Sequence, residues 1–297
     1  MSEKCGVVAV IGAPNAGKST LVNAIVGQKV AITSAKAQTT RARLIGIAIA
    51  GESQMLLVDT PGIFEGKRRL DRAMVAAAWS GAQDADLVAL VIDAKEGLRP
   101  RVEALAAALA DRREPRIVIL NKVDVSPKEG LLVLAQRLQE MLAPQAILMV
   151  SAATGDGVAD LKRWLAEHMP EGPWHFPEEQ VSDATDRMLA AEVTREQLYH
   201  QLYAELPHDS AIETERYEER KDGSVAIHQQ ILVARDSQKA IVLGNRGSRL
   251  KEIGSRARAE LSALLGRKVH LFLHVKVRPE WQEDRGLYRD IGLDWVE

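Results

Sequence analysis

The 297-residue sequence has a single cysteine, Cys5, so it can form no internal disulfide, and a small disulfide-stapled scaffold is excluded. It has no apolar run near the roughly 18–20 residues that a membrane-spanning helix requires. The longest runs, such as 87–92, are strand-sized. Nothing at the start reads as a signal peptide, because Glu3 and Lys4 lead straight into a short apolar stretch, and the expected location is the cytoplasm. Net charge is scarce as well: the formal value of −2 gives no reason by itself to expect nucleic acid. Aromatic residues make up 4%, and the tryptophans and tyrosines read as core or interface residues, with Trp281 and Trp295 given no role. What is plentiful is ordinary globular material, 46% apolar and 27% charged, in a chain long enough for two domains.

From residue 7 to about 168, short β-branched apolar runs at 7–11, 55–58, 87–92, 117–120 and 147–150 read as strands. Amphipathic stretches at 18–26, 70–81, 101–110, 131–142 and 158–167 separate them and read as helices. Alternation of this kind predicts a doubly wound α/β domain with a mostly parallel sheet, its ligand at the C-terminal ends of the strands. The stretch 168–181 holds Pro170, Gly172, Pro173 and Pro177 and neither period, so it reads as a linker. The expected division is therefore 1–168, a linker at 169–181, and a second domain at 182–297.

In that second part the order changes. A helix near 186–203, strands near 211–219 and 224–233, helices near 237–242 and 248–265 and a strand near 269–277 predict an α+β domain. Its charge is divided. Residues 182–222 carry a net −6, and residues 231–278 carry eleven Lys or Arg against three acids, a net +8. A basic half of this kind suits a domain that grips a polyanion on one face, although solvated helix surfaces would give the same count.

Gly12-Ala13-Pro14-Asn15-Ala16-Gly17-Lys18-Ser19 fits the pattern G-x-x-x-x-G-K-[ST], directly after a strand and opening a helix that continues through Thr20. Glycines let the backbone wrap phosphates with its N–H groups inward, the helix N-terminus adds positive potential, Lys18 reaches the β- and γ-phosphates, and the Ser19 hydroxyl ligates Mg²⁺. Later strand ends carry Asp59-Thr60-Pro61-Gly62, Asn121-Lys122-Val123-Asp124 and Ser151-Ala152-Ala153. Asp59 suits the Mg²⁺ shell, and the Gly62 N–H suits the γ-phosphate. The Asp124 carboxylate can accept from guanine N1–H and the N2 amine, which adenine does not offer, so guanine is the expected base. Asp93 also ends a strand and is expected to be a structural or loop carboxylate, with a direct catalytic role as the alternative.

With these motifs in order the chain resembles the translation-factor-like branch of P-loop GTPases, and Gln38-Thr39-Thr40-Arg41 looks like its first switch. The resemblance implies that Thr40 closes onto Mg²⁺ and the γ-phosphate, with Thr39 the alternative ligand. Lys18, Thr40 and Gly62 are then the residues of the hydrolytic chemistry. Ile63 stands where related enzymes place a water-orienting Gln and cannot hydrogen-bond water, so slow intrinsic hydrolysis is expected. Asn15 resembles an asparagine that helps hold K⁺ in some relatives, and a plain loop residue is the alternative.

Gly244-Asn245-Arg246-Gly247 lies between two helices inside the +8 segment and is followed by Arg249 and Lys251. Helix–G-x-x-G–helix with two strands before it and one after resembles a type II KH domain, in which the loop meets the backbone of about four single-stranded nucleotides. Gly244, Asn245, Arg246, Gly247, Arg249 and Lys251 are the candidate RNA-binding residues. The last strand alternates: Val269, Leu271, Leu273, Val275 and Val277 are expected to face the core, leaving His270, Phe272, His274, Lys276 and Arg278 opposite. RNA contact and packing against the first domain are both open for that face.

Across essentially its whole length the chain resembles the Era family. The resemblance implies GTP as substrate, Mg²⁺ as cofactor, the 3′ end of 16S ribosomal RNA and the small ribosomal subunit as partners in 30S assembly, a monomer, and peripheral contact with the inner face of the cell membrane. The competing reading is a GTP-dependent RNA-binding scaffold or regulator with negligible hydrolysis and no tie to ribosomes.

Overall fold

The computed structural model describes residues 2–34, 36, 39–41, 43–64, 68–83, 85–203 and 206–296. Gln38 of the switch string therefore lies outside the described residues. The chain divides into two compact units, residues 1–31 with 40–183 and 296–297, and residues 32–39 with 184–295.

In the first unit, apolar residues on both sides of each central strand call for helices on both faces of the sheet. The strands are β1 (Lys4–Ile11), β2 (Leu44–Ala50), β3 (Ser53–Asp59), β4 (Leu87–Asp93), β5 (Arg116–Asn121) and β6 (Ile147–Met149), in the spatial order β2-β3-β1-β4-β5-β6. All neighbours are parallel except β2–β3. The helices are α1 (Lys18–Val26), α2 (Arg69–Gln83), α3 (Pro100–Ala110), α4 (Lys128–Leu142) and α5 (Val158–His168). Along β1, Val8 and Val10 pack with Leu21, Ile25, Leu161 and Leu165 of α1 and α5. Ala9 and Ile11 pack with Leu105, Leu109 and Leu138 of α3 and α4 on the opposite face.

Two features depart from the sequence expectations. Strand β2 was not anticipated, because its sequence LIGIAIA mixes isoleucine with glycine and alanine, which are poor strand formers. Packing explains the glycine: a Cβ on Gly46 would lie 2.8 Å from Val22 Cγ1, so its absence lets α1 approach the edge strand. The stretch 169–181, expected as a linker, is fastened to the first unit. Cys5 N–H donates to Pro170 O at 3.0 Å, Ile47 N–H to Val181 O at 2.8 Å, and Gln54 Oε1 accepts from His175 N and Phe176 N. Trp174 and Phe176 cover Cys5, Ile47 and Leu56. Burial there also pushes the Cys5 thiol up from its ordinary pKa.

The second unit contains α6 (Asp186–Gln201), β7 (Ser210–Glu219), β8 (Val225–Val233), α7 (Asp236–Leu243), α8 (Ser248–Leu264), β9 (Val269–Val277) and α9 (Arg285–Asp290). The sheet order is β7-β8-β9, with β7–β8 antiparallel and β8–β9 parallel. Thr185 caps α6 by accepting from Met188 N–H at 3.2 Å. A buried relay fixes α6 to the sheet: Thr194 Oγ1 donates to Gln229 Oε1 at 2.7 Å, and Gln229 Nε2 donates to Thr214 Oγ1 at 3.1 Å. Residues 32–39 join this unit through Thr33 N–H, which donates to Glu196 Oε1 at 2.8 Å, and through Lys36 Nζ, which donates to the Tyr199 and Leu202 carbonyls near the end of α6. Trp281, given no role above, is fully buried, and Trp295 meets Tyr288 edge-on at 4.9 Å.

Candidate functional site

In the first unit, the loop after β1 turns because Gly12 adopts φ +156°; a Cβ there would lie 2.3 Å from Val91 O. Gly17 has φ +91° at the mouth of α1, and a Cβ on it would strike Asn121 Nδ2 at 2.3 Å. Between them the chain wraps over Lys18, whose Nζ donates to Gly12 O at 3.2 Å and Ala13 O at 3.1 Å. Burial pushes the Lys18 pKa down to about 8, with the neighbouring Asp59 carboxylate opposing. Ala13, Pro14 and Thr20 are partly buried, Ala16 is buried, and Asn15 is exposed with φ 64°. Such a loop, with its helix N-terminus behind it, is built to receive an anion.

Three oxygen donors converge beside it. Ser19 Oγ donates to Asp59 Oδ2 at 2.6 Å, Thr40 Oγ1 lies 2.8 Å from Ser19 Oγ, and Thr40 Oγ1 donates to Asp59 Oδ2 at 3.2 Å. Hydroxyls and a carboxylate are the hard donors that magnesium prefers, so the residues fit that ion. Of the two threonines left open by the sequence, Thr40 is the one brought to this cluster; Thr39 Oγ1 donates to Lys36 O. Thr60 is structural in its geometry, donating to Val10 O at 2.8 Å, and Pro61 is buried beside it. A Cβ on Gly62 would come within 2.8 Å of the Pro14 backbone, so only glycine permits this approach to the loop. Ile63 donates its N–H to Gly12 O at 3.1 Å, and its partly buried side chain packs against the core cluster that contains Ile11 and Leu90.

The remaining motif residues divide into braces and an exposed acceptor. Asn121 Nδ2 donates to Ala16 O at 2.9 Å while its Oδ1 accepts from Ala152 N–H at 3.0 Å, so one amide ties the glycine-rich loop to the 151–153 loop. Lys122 has φ 65° and donates through Nζ to Asn15 O at 2.7 Å and Asp93 Oδ2 at 2.6 Å. That pairing holds Asp93 beside Lys122 at the end of β4. Ser151 is buried and accepts from Thr154 N–H at 3.2 Å, Ala152 is buried, and Ala153 is exposed. Asp124 is exposed on the turn Val123–Val125.

In the second unit, α7 ends at Gly244, whose φ is 69°, and a Cβ there would lie 2.8 Å from Arg249 Cβ. Asn245 and Arg246 are exposed, Arg246 with φ 49°, and Gly247 at φ 77° starts α8. Arg249 Nη1 donates to Ile241 O at 2.8 Å and so fastens the loop. Beyond the loop a groove of about 370 Å³ runs between α8 and β9, lined by Leu250, Lys251, Gly254, Arg258, Leu271 and Leu273. Leu271 and Leu273, expected in the core, are half-buried on the wall of this groove. Arg258 was missed by sequence reasoning; its position on α8 seven residues beyond Lys251 was the available signal.

Comparison with known proteins agrees with both halves. Residues 7–122 match the family described as 50S ribosome-binding GTPase, and residues 205–282 match the KH domain. The chain is 61% identical over 297 residues to the GTPase Era of Erythrobacter litoralis, covering 99% of this chain and 98% of that one. It is 55% identical over 292 residues to the GTPase Era of a Bradyrhizobium species, covering 98% and 95%. Among solved structures, an Aquifex aeolicus Era variant bound to GDP·AlF4⁻ superposes with a TM-score of 0.92 at 38% identity, covering 97% of this chain and 99% of that one. Era in complex with MgGDPNP and nucleotides 1506–1542 of 16S ribosomal RNA gives the same score and identity, covering 98% and 99%.

Proposed function

Because the chain belongs to the Era family of GTPases, we propose that it couples hydrolysis of Mg²⁺-bound GTP in its first unit to binding of the 3′ end of 16S ribosomal RNA in its second, during assembly of the small ribosomal subunit. The observation that carries the nucleotide half is the meeting of Lys18, Ser19, Thr40 and Asp59 at one end of the sheet. On nucleotide binding, the Lys18 ammonium exchanges two neutral carbonyls for phosphate oxygens, a charge-assisted contact that is stronger in a dehydrated pocket. The backbone N–H groups of 13 and 15–19 and the N-terminus of α1 surround the phosphates, and the Gly62 N–H meets the γ-phosphate. Ser19, Thr40 and Asp59 would hold Mg²⁺, which would supply positive charge to offset that of the phosphates. Asp124 accepts from the guanine edge, while Asn121 keeps the glycine-rich loop and the 151–153 loop in register.

Ile63 has no group with which to orient the attacking water, and its partly buried side chain packs against the core. Unaided hydrolysis is therefore slow, and a bound cation such as K⁺ or a group supplied by RNA or the ribosomal subunit is required to speed it. For the RNA half, the exposed Asn245 and Arg246 present a loop whose two glycines allow close approach of a sugar-phosphate backbone, and the groove beside Lys251 and Arg258 accepts the bases. Among the described residues no helix is long and apolar enough to cross a membrane.

Phosphate release from GTP, measured with and without an RNA fragment ending at the 3′ terminus of 16S rRNA, tests the reading. Slow release that the fragment accelerates is expected. No release under either condition would leave a nucleotide-dependent scaffold in its place.

A further inference from the structure

The face of β9 turned away from α8 has a composition that the groove does not use. Strand β9 is the edge of its sheet, paired on one side with β8. Leu271 and Leu273 line the groove, so the alternation of a strand sets His270, Phe272, His274 and Lys276 on the other face of the same edge. Phe272 is 46% exposed, one of few large apolar side chains so placed among the described residues. It stands opposite His228 in the parallel register, and the two rings stack with centroids 4.6 Å apart and planes 17° from parallel. The pair therefore holds an aromatic surface at a fixed angle to the sheet.

Charge bears on what covers it. Lys268 and Lys276 are both exposed and bracket Phe272 four residues away on either side, and β9 carries no acidic residue. The acids of this sheet are on β7, where Glu215 faces His274 at 3.8 Å and Glu213 faces Arg278 at 3.9 Å. A polyanion thus meets cations along the β9 edge and repulsion on the β7 side, which sets its course along β9. Aromatic rings beside cations at a sheet surface are the means by which single-stranded nucleic acid is stacked without base-edge readout.

We propose that the Phe272–His228 pair is a second RNA contact, on which a base of single-stranded RNA stacks after the strand leaves the groove and passes over the β9 edge. The proposal rests on the RNA-binding reading above and extends it beyond the roughly four nucleotides that a KH groove holds. The occupant is RNA continuous with that in the groove.

The test uses the full chain and two single-stranded RNAs copied from the 3′ end of 16S rRNA, one of twelve nucleotides and one of six, followed by fluorescence anisotropy. Phe272→Ala is expected to bind the longer RNA about tenfold more weakly, the shorter RNA as before, and Phe272→Tyr is expected to restore affinity. Equal affinity of Phe272→Ala and the unmodified chain for the longer RNA would overturn the platform. So would equal losses for both lengths, or sedimentation showing that Phe272→Ala dissolves a self-associated form, which would make the face a contact between copies. The double variant Asn245→Asp with Arg246→Asp separates the two readings. Loss there with a silent Phe272→Ala defeats the platform alone, and an unmodified chain that binds neither RNA defeats both.

Discussion

Nucleotide binding should change the proton count of Lys18. Without nucleotide, burial holds its ammonium at about 8, against about 10.4 for an ordinary lysine. Phosphates placed beside it supply an opposite charge and raise the value again. Affinity is therefore complete below about pH 8 and falls as pH rises from there toward the pKa of the bound state, by up to about tenfold (about 1.4 kcal/mol) per pH unit. Folding stability of the nucleotide-free chain runs the other way: the cost of the buried charge is full below about 8 and is relieved as pH rises toward the unfolded value of about 10.4. At pH 8.5 roughly three-quarters of the molecules must take up a proton to bind, and at pH 7 roughly one in ten. Calorimetric titration with GDP in buffers of different ionisation enthalpy counts that proton at each pH. The variant Lys18→Arg, whose guanidinium stays charged, separates it from the N1–H of guanine. The reasoning is refuted if uptake is the same at pH 7 and 8.5, or if Lys18→Arg takes up as much as the unmodified chain.

Three further outcomes are expected. Asp124→Asn should weaken GTP binding and improve binding of xanthosine triphosphate, since an amide N–H can meet the xanthine carbonyl; an unchanged preference in a competition titration removes Asp124 from the base site. Asn121→Ala removes both hydrogen bonds of the brace and leaves Ala16 O and Ala152 N–H without that partner, so denaturant unfolding of the first unit should show a loss of about 2–4 kcal/mol, and a loss below about 0.5 kcal/mol would contradict the bracing role. Asn245→Asp with Arg246→Asp should weaken RNA binding by repulsion of phosphate while GTP affinity stays as it was; a parallel loss of both affinities would show that the loop does more than meet RNA.

What the sequence determined is local or periodic. Gly12 through Ser19 specify their own turn because the left-handed backbone and the opening helix are decided by neighbours within a few residues, and the same holds for Gly244–Gly247. Apolar runs fixed five strands of the first sheet, since the four inner ones are buried on both faces and so are written as continuous apolar sequence, and the edge strand β6 is a short apolar run as well. Strand β2 escaped because Gly46 answers to Val22 on α1, a contact no window of sequence contains. The prolines of 169–181 ruled out regular structure there correctly and still gave no sign of the backbone bonds to Cys5 and Ile47 that hold the stretch in the first unit. The same limit applies at the site. Motif order put Asn121 near the nucleotide, but its amide joins residues 105 and 31 positions away. Residues 32–39 read as part of the GTPase half, yet Glu196 and the carbonyls at the end of α6 draw them into the second unit. Hydrogen-bond partners of this kind are chosen by the distances that folding creates, and a linear sequence carries the donors and acceptors without those distances.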